Sequence, residues 1–168
     1  MYMVGMRPGE VYSETRAKRG ACPNPGTRFV DSQGREFIMV KVGASQNLTN
    51  GMAVCIQAGD FLTTVGTVPG AGVPNIGMVG IVQCSITAST SHLVWAQVYG
   101  LCQNAIFAAS ASALPGAAVK FAADGKLTAV GVTTASAYIA GINCVATNSV
   151  IDSPVGQIFL NYPKAIGG

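Results

Sequence analysis

From residue 36 onward the chain alternates short apolar runs with turn chemistry. Arg35–Val42 and Phe61–Val65 are Val-, Ile-, Phe- or Thr-rich, as are Met52–Ile56 and Leu93–Tyr99. Asn50-Gly51 precedes the second of these in chain order and Gly59-Asp60 the third, and both dipeptides favour tight reversals. Leu93–Tyr99 alternates in part with the two-residue period of a sheet. Further runs at 78–86, 104–109, 117–122, 127–134, 138–146 and 155–161 continue the series. Many short strands between regular turns predict an all-β fold, a single β-barrel or β-sandwich body spanning 36–168. The alanines at 105, 108, 109, 111 and 113 allow one short helix instead of a strand there.

Two of the runs echo each other. Gly51–Val65 and Gly116–Val130 both read Gly-x-Ala-Val, then Ala and Asp, then Leu-Thr-x-Val, with one shift in spacing. Each is expected to form a strand, a tight turn and a return strand. Shared hairpin chemistry accounts for the echo without a duplication.

Residues 1–35 follow a different pattern. They hold Pro8, Pro23 and Pro25, Gly9, Gly20, Gly26 and Gly34, and six of the ten basic residues. Such a segment is expected to be an extended N-terminal arm that contacts a partner. Arg28-Phe29-Val30 and the strand from Arg35, joined by the turn Asp31–Gly34, predict a hairpin connecting arm to body.

Charge sharpens this division. Only 10% of the 168 residues are charged, and positions 42–168 hold only Asp60, Asp124, Asp152, Lys120, Lys126 and Lys164. The net charge of +3 comes from residues 1–41. A free monomer of this size exposes roughly 7,800 Å² of surface. A surface so poor in charge is weakly protected against association, so a homo-oligomer, a trimer above all, is expected. The basic cluster Arg16, Lys18, Arg19 has no interleaved aromatic stacking platform. It therefore fits an acidic protein surface better than specific nucleic acid.

Five cysteines, an odd number without a CxxC pair, sit mostly among apolar residues. They are expected to be reduced and buried, as in a cytoplasmic setting. The opening MYMVGMRPGEVY shows no basic leader before an apolar block, and no run of about 18 apolar residues occurs. No membrane partner is expected.

Catalytic and cofactor readings find little support. His92, the single histidine, stands in Thr-Ser-His-Leu before a strand and reads as a polar strand-end residue. Asp60 and Asp124 hold matching places in the two echoing hairpins and read as turn formers. The glycine-rich stretch 70–77 has the wrong spacing for a dinucleotide loop, and Pro74 breaks a helix start. No catalytic residue, metal or cofactor is expected, and the chain reads as a non-enzyme. Trp95, Tyr99, Phe107 and Tyr138 read as packing residues in strands.

The stretch His92–Leu101 carries a resemblance. Trp95-Ala-Gln97-Val-Tyr-Gly100, preceded by Val79-Gly80-Ile-Val82, resembles a strand pair of phage head decoration, or capsid cement, proteins. The Gly-x-Ala-Val turns and Ala140-Gly141-Ile142 are similar in style, so the likeness loosely spans residues 43–160. It implies a β-barrel or β-sandwich body, trimers on the capsid surface, and terminal arms that touch the major capsid protein. Under that implication Arg7, Val11, Tyr12, Arg16, Lys18 and Arg19 are the capsid-binding residues. The protein would be made in the host cytoplasm and would stabilise the virion shell. The rival expectation is a receptor- or carbohydrate-binding virion module, such as a head fibre base, marked by an exposed aromatic groove.

Overall fold

The computed structural model describes residues 7–18, 20, 22–43, 45–65, 77–87, 92–108, 114–129, 138–146 and 155–166. The chain is all-β. Its strands are β1 (Tyr12–Ser13), β2 (Arg28–Val30), β3 (Glu36–Lys41), β4 (Ala53–Ile56), β5 (Thr63–Val65), β6 (Met78–Val82), β7 (His92–Ile106), β8 (Val119–Phe121), β9 (Leu127–Ala129), β10 (Tyr138–Cys144) and β11 (Val155–Ile166). One short helix, α1 (Glu14–Lys18), follows β1. The strands form one large sheet in the order β2-β3-β7-β6-β11-β10-β8-β9, with β4 and β5 joined beside β6.

The all-β expectation holds, but the sheet is not closed into a barrel, which corrects the barrel form of the expected barrel or sandwich. The reason lies in strands buried on both faces. Along β4, Ala53 and Cys55 enter one apolar cluster while Val54 and Ile56 enter another. Along β6, Val79 and Ile81 join the first and Val82 the second. This pair is a wall between two cores. A barrel around a single core would bury only one face of each strand. Isolated bridges Lys41 to Leu62 and Phe107 to Leu127 bring outlying strands back toward β3 and β7 without closing the sheet. Burial on both faces also explains why β4 and β6 read as continuous apolar runs instead of alternating.

β7 runs through all three apolar clusters. Val94, Ala96 and Val98 face the core that holds Ile38 and Val40 of β3. Leu93 and Trp95 face the opposite side with Phe37 and Met39. Beyond Gly100, Cys102 and Ala105 pack with Ile158 and Leu160 of β11. The residues from 104 to 106 continue β7, so no separate strand and no helix begins there.

The segment expected to form an extended partner-binding arm packs in part on the body itself. Tyr12 and Ser13 pair with Leu93 and His92. Tyr12 and Cys22 are buried against Phe37, Met39, Leu93 and Trp95, with Ala17 and Phe29 packed beside them. The β3–β7 pair has apolar side chains on both faces, so the second face needs a cover, and the N-terminal segment supplies it. Lys41 Nζ holds Glu14 at 2.6 Å and fastens α1 to the end of β3. Ser13 Oγ accepts the Arg16 N–H at 3.3 Å at the start of α1.

Candidate interaction surfaces

The residues of the decoration-like strand pattern are structural. Trp95 is fully buried under Tyr12 and Cys22. Gln97 is also buried, and its Nε2 donates to the carbonyls of Tyr99 and Leu101, each at 3.1 Å. Gly100 lies between those acceptors at φ +89°, and a Cβ there would stand 3.2 Å from Arg35 Cα. The spacing Trp-x-Gln-x-x-Gly is therefore that of a strand that bends and fixes its own bend. The carboxamide donates to the two backbone carbonyls that flank Gly100 and so ties the bend to its own strand. The register of β3 against β7 also shifts here, between Glu36 and Phe37.

The candidate partner-binding residues separate. Val11 is exposed at the surface, whereas Tyr12 is only 3% exposed and belongs to the core. Arg7 and Arg16 are exposed, and Arg16 lies over the Tyr12 ring at 5.8 Å. Lys18 ends α1, its side chain outside the described residues, as is all of Arg19.

The acids near this segment are already engaged. Asp31 is paired with Arg35 at 2.7 Å, Glu14 with Lys41, and Glu36 with Arg28. Glu10 accepts the Tyr12 hydroxyl at 2.7 Å. Burial first, and then this bond to Glu10, raises the Tyr12 phenol above its ordinary range. Among the described residues Arg7 and Arg16 have no carboxylate partner. Arg7 and Arg16 thus outnumber Glu10, the one carboxylate of this segment outside an ion pair.

A second surface went unread in the sequence. Tyr99 stacks on Tyr162 at 5.2 Å between ring centres and meets Phe159 edge-on at 5.8 Å. Tyr162 donates its hydroxyl to Glu36 at 2.7 Å, and the Arg28 guanidinium lies over its ring. The hydrogen bond to Glu36 raises the Tyr162 phenol. Tyr162 has φ +45°, a left-handed backbone that bulky residues rarely adopt. Phe159, Tyr162 and Leu101 all remain exposed. Of the other aromatics, Trp95 and Phe107 are buried packing residues as expected, and Tyr138 is exposed.

The catalytic candidates occupy turns and strand ends. Asp60 Oδ1 accepts the Leu62 N–H at 3.1 Å in the β4–β5 turn. Asp124 sits at φ +58° in the β8–β9 turn. His92 opens β7 opposite Ser13, while Ser91 and the stretch 70–76 lie outside the described residues. Among the described residues no group of three or more His, Cys, Asp or Glu is placed to hold a metal ion. No helix among them is long and apolar enough to cross a membrane. All five cysteines are free and buried. Burial pushes the thiols of Cys55, Cys84 and Cys102 up to about 11.

No family model, no curated protein and no solved structure matches the chain.

Proposed function

We propose that this chain is a non-catalytic structural protein of a phage capsid, a decoration protein that binds the major capsid protein as a homo-oligomer, most simply a trimer. The observation that carries the reading is the polarised surface. Internal ion pairs consume Asp31, Glu14 and Glu36, while Arg7 and Arg16 form no ion pair and outnumber the one unpaired carboxylate beside them, Glu10, at one end of a body with few charges. A basic end suits an acidic shell surface, and a neutral body suits neighbours of the same kind. Lys18 and Arg19 follow Arg16 in sequence and add two further basic residues to this segment. The buried core of Trp95, Gln97 and Gly100 is consistent with the family likeness, since those residues build a stiff bend and touch no reactant. A cement protein stabilises its shell by mass action, because it binds the assembled state, and many copies add avidity.

The test is co-sedimentation with shells assembled from the major capsid protein of the same virion. Wild-type protein is expected to pellet with the shells, and the Arg7→Ala, Arg16→Ala double variant to lose about tenfold or more in affinity. Binding should weaken as salt rises. Equal binding by both proteins at all salt concentrations contradicts the assignment of this end.

A second reading has one observation in its favour. The cluster of exposed Phe159 and Tyr162 with half-buried Tyr99 is the aromatic mark of a receptor- or carbohydrate-binding virion module. Glycan-array binding that disappears in Phe159→Ala, with no shell binding by the wild type, would favour it over decoration.

A further inference from the structure

The outer face of the β7–β11–β10 region is built from two parallel rows. Register places Leu101 beside Phe159, and Phe159 beside Asn143. The next row holds Gln157 and Val145, with the Val145 N–H donating to the Gln157 carbonyl, and Gln103 stands on β7 where its register against β11 shifts. All six side chains are exposed, while the alternating positions Cys102, Ile158, Leu160, Ile142 and Cys144 are buried beneath. The aromatic cluster of Tyr99 and Tyr162 continues the face at one end, where Arg28 and Glu36 pair with each other. Lys164, two residues after Tyr162 on β11, is exposed.

None of the six carries a charge. This decides which partner chemistry the face accepts. A charged partner surface would have to surrender its hydration here with nothing opposite to compensate. A neutral surface meets no such cost. The residue types are also able to pair with their own copies. An Asn or Gln carboxamide both donates and accepts, so one amide satisfies another of the same kind. Leu, Val and Phe pack on their own kind. A lysine or a carboxylate can do neither. Interfaces between identical subunits have cores of this composition, depleted in charge and enriched in aromatics. The chain itself supplies a matching surface, since only six of its charged residues lie after position 41.

We infer that this face, centred on Phe159 and Gln157, is where copies of this chain meet, an inference that rests on the self-associating half of the proposed function. It assigns the oligomer contact to the neutral sheet face and leaves the basic N-terminal end for the shell.

Gln157 is the position to probe, because it is exposed and a charge there leaves the core untouched. The experiment is sedimentation velocity of full-length protein at micromolar concentration, with circular dichroism as the check on fold. Wild type is expected to sediment as a multiple of the chain mass. Gln157→Glu and Gln157→Lys should each lower association by about tenfold or more with an unchanged spectrum, because either sign is buried unpaired. Gln57→Lys, on the exposed residue after β4, should assemble like wild type. Assembly unchanged in both Gln157 variants overturns the inference, as does equal disruption by Gln57→Lys. If wild type is a single chain yet pellets with shells, shell binding stands and this contact is wrong. If wild type assembles, the Gln157 variants fall apart and nothing pellets with shells, the contact stands and the decoration reading falls.

Discussion

The buried side chain of Gln97 reaches the backbone of Leu101, four residues along the same strand, with its Nε2 donating to that carbonyl at 3.1 Å. The same nitrogen donates to the Tyr99 carbonyl. β7 changes partners at this bend, pairing with β3 and β6 before it and with β11 from Tyr99 onward. One side chain therefore fixes the joint between the two halves of the sheet. Gln97→Leu keeps about the same volume and removes a buried donor from two carbonyls. It is expected to cost about 2–3 kcal/mol, read from urea unfolding. Wild-type stability in that variant would mean that the bend holds without the clamp.

The N-terminal segment is expected to act as a cover. Trp95 is the single tryptophan, and it is fully buried beneath Tyr12 and Cys22. Deleting residues 2–22 should shift its fluorescence to the red and lower stability by on the order of 3 kcal/mol or more, from the apolar surface exposed. Unchanged emission and stability would show that the cover contributes nothing to the fold.

Gly51 is a backbone necessity. It has φ +93°, and a Cβ there would overlap the Asn104 carbonyl oxygen. Its own carbonyl accepts the Ile106 N–H and its N–H donates to Val82, so the turn cannot move aside freely. Gly51→Ala is expected to cost about 1–3 kcal/mol. The equivalent change at Gly34, where nothing lies within 4 Å of the added Cβ, should cost less. Thermal unfolding of the pair provides the comparison.

The thiols set a pH limit. In the unfolded chain they ionise near 9, and in the fold Cys55, Cys84 and Cys102 do so at about 11. Between those values the unfolded state has released protons that the native state retains. Stability should therefore be intact below pH 9 and fall as pH rises toward 11, by up to roughly 1.4 kcal/mol per pH unit for each thiol. Urea midpoints measured across that range check the slope. Labelling at pH 8 should modify native protein slowly and unfolded protein at all five cysteines; rapid native labelling at several of them would contradict the burial.

Much of the strand layout was legible because turn chemistry is local. Asp31–Gly34 makes the β2–β3 turn, with Asp31 Oδ1 accepting from Gln33 and Arg35. Both echoing segments are hairpins, β4–β5 and β8–β9. What was not legible depends on contacts distant in sequence. Nothing local marks β4 and β6 as a wall between two cores, so the sequence pattern leaves a closed barrel open beside a sandwich. Tyr12 lies in a Pro- and Gly-bearing, charged segment that looks unable to form a core. Its burial follows from the second apolar face of β3 and β7, eighty residues further along in the case of Leu93. The strand after residue 154 was read only to 161. It continues to Ile166 through the left-handed Tyr162, and that residue completes an aromatic cluster no linear motif announces.

The claim that this chain clothes a capsid is tested most directly by an electron cryo-microscopy map of the native virion. The account predicts density for this all-β fold on the outer surface of the shell, with Arg7 and Arg16 turned toward the major capsid protein and the Phe159–Gln157 face against a neighbouring copy. A particle that carries the protein elsewhere, or that lacks it entirely, would contradict the account.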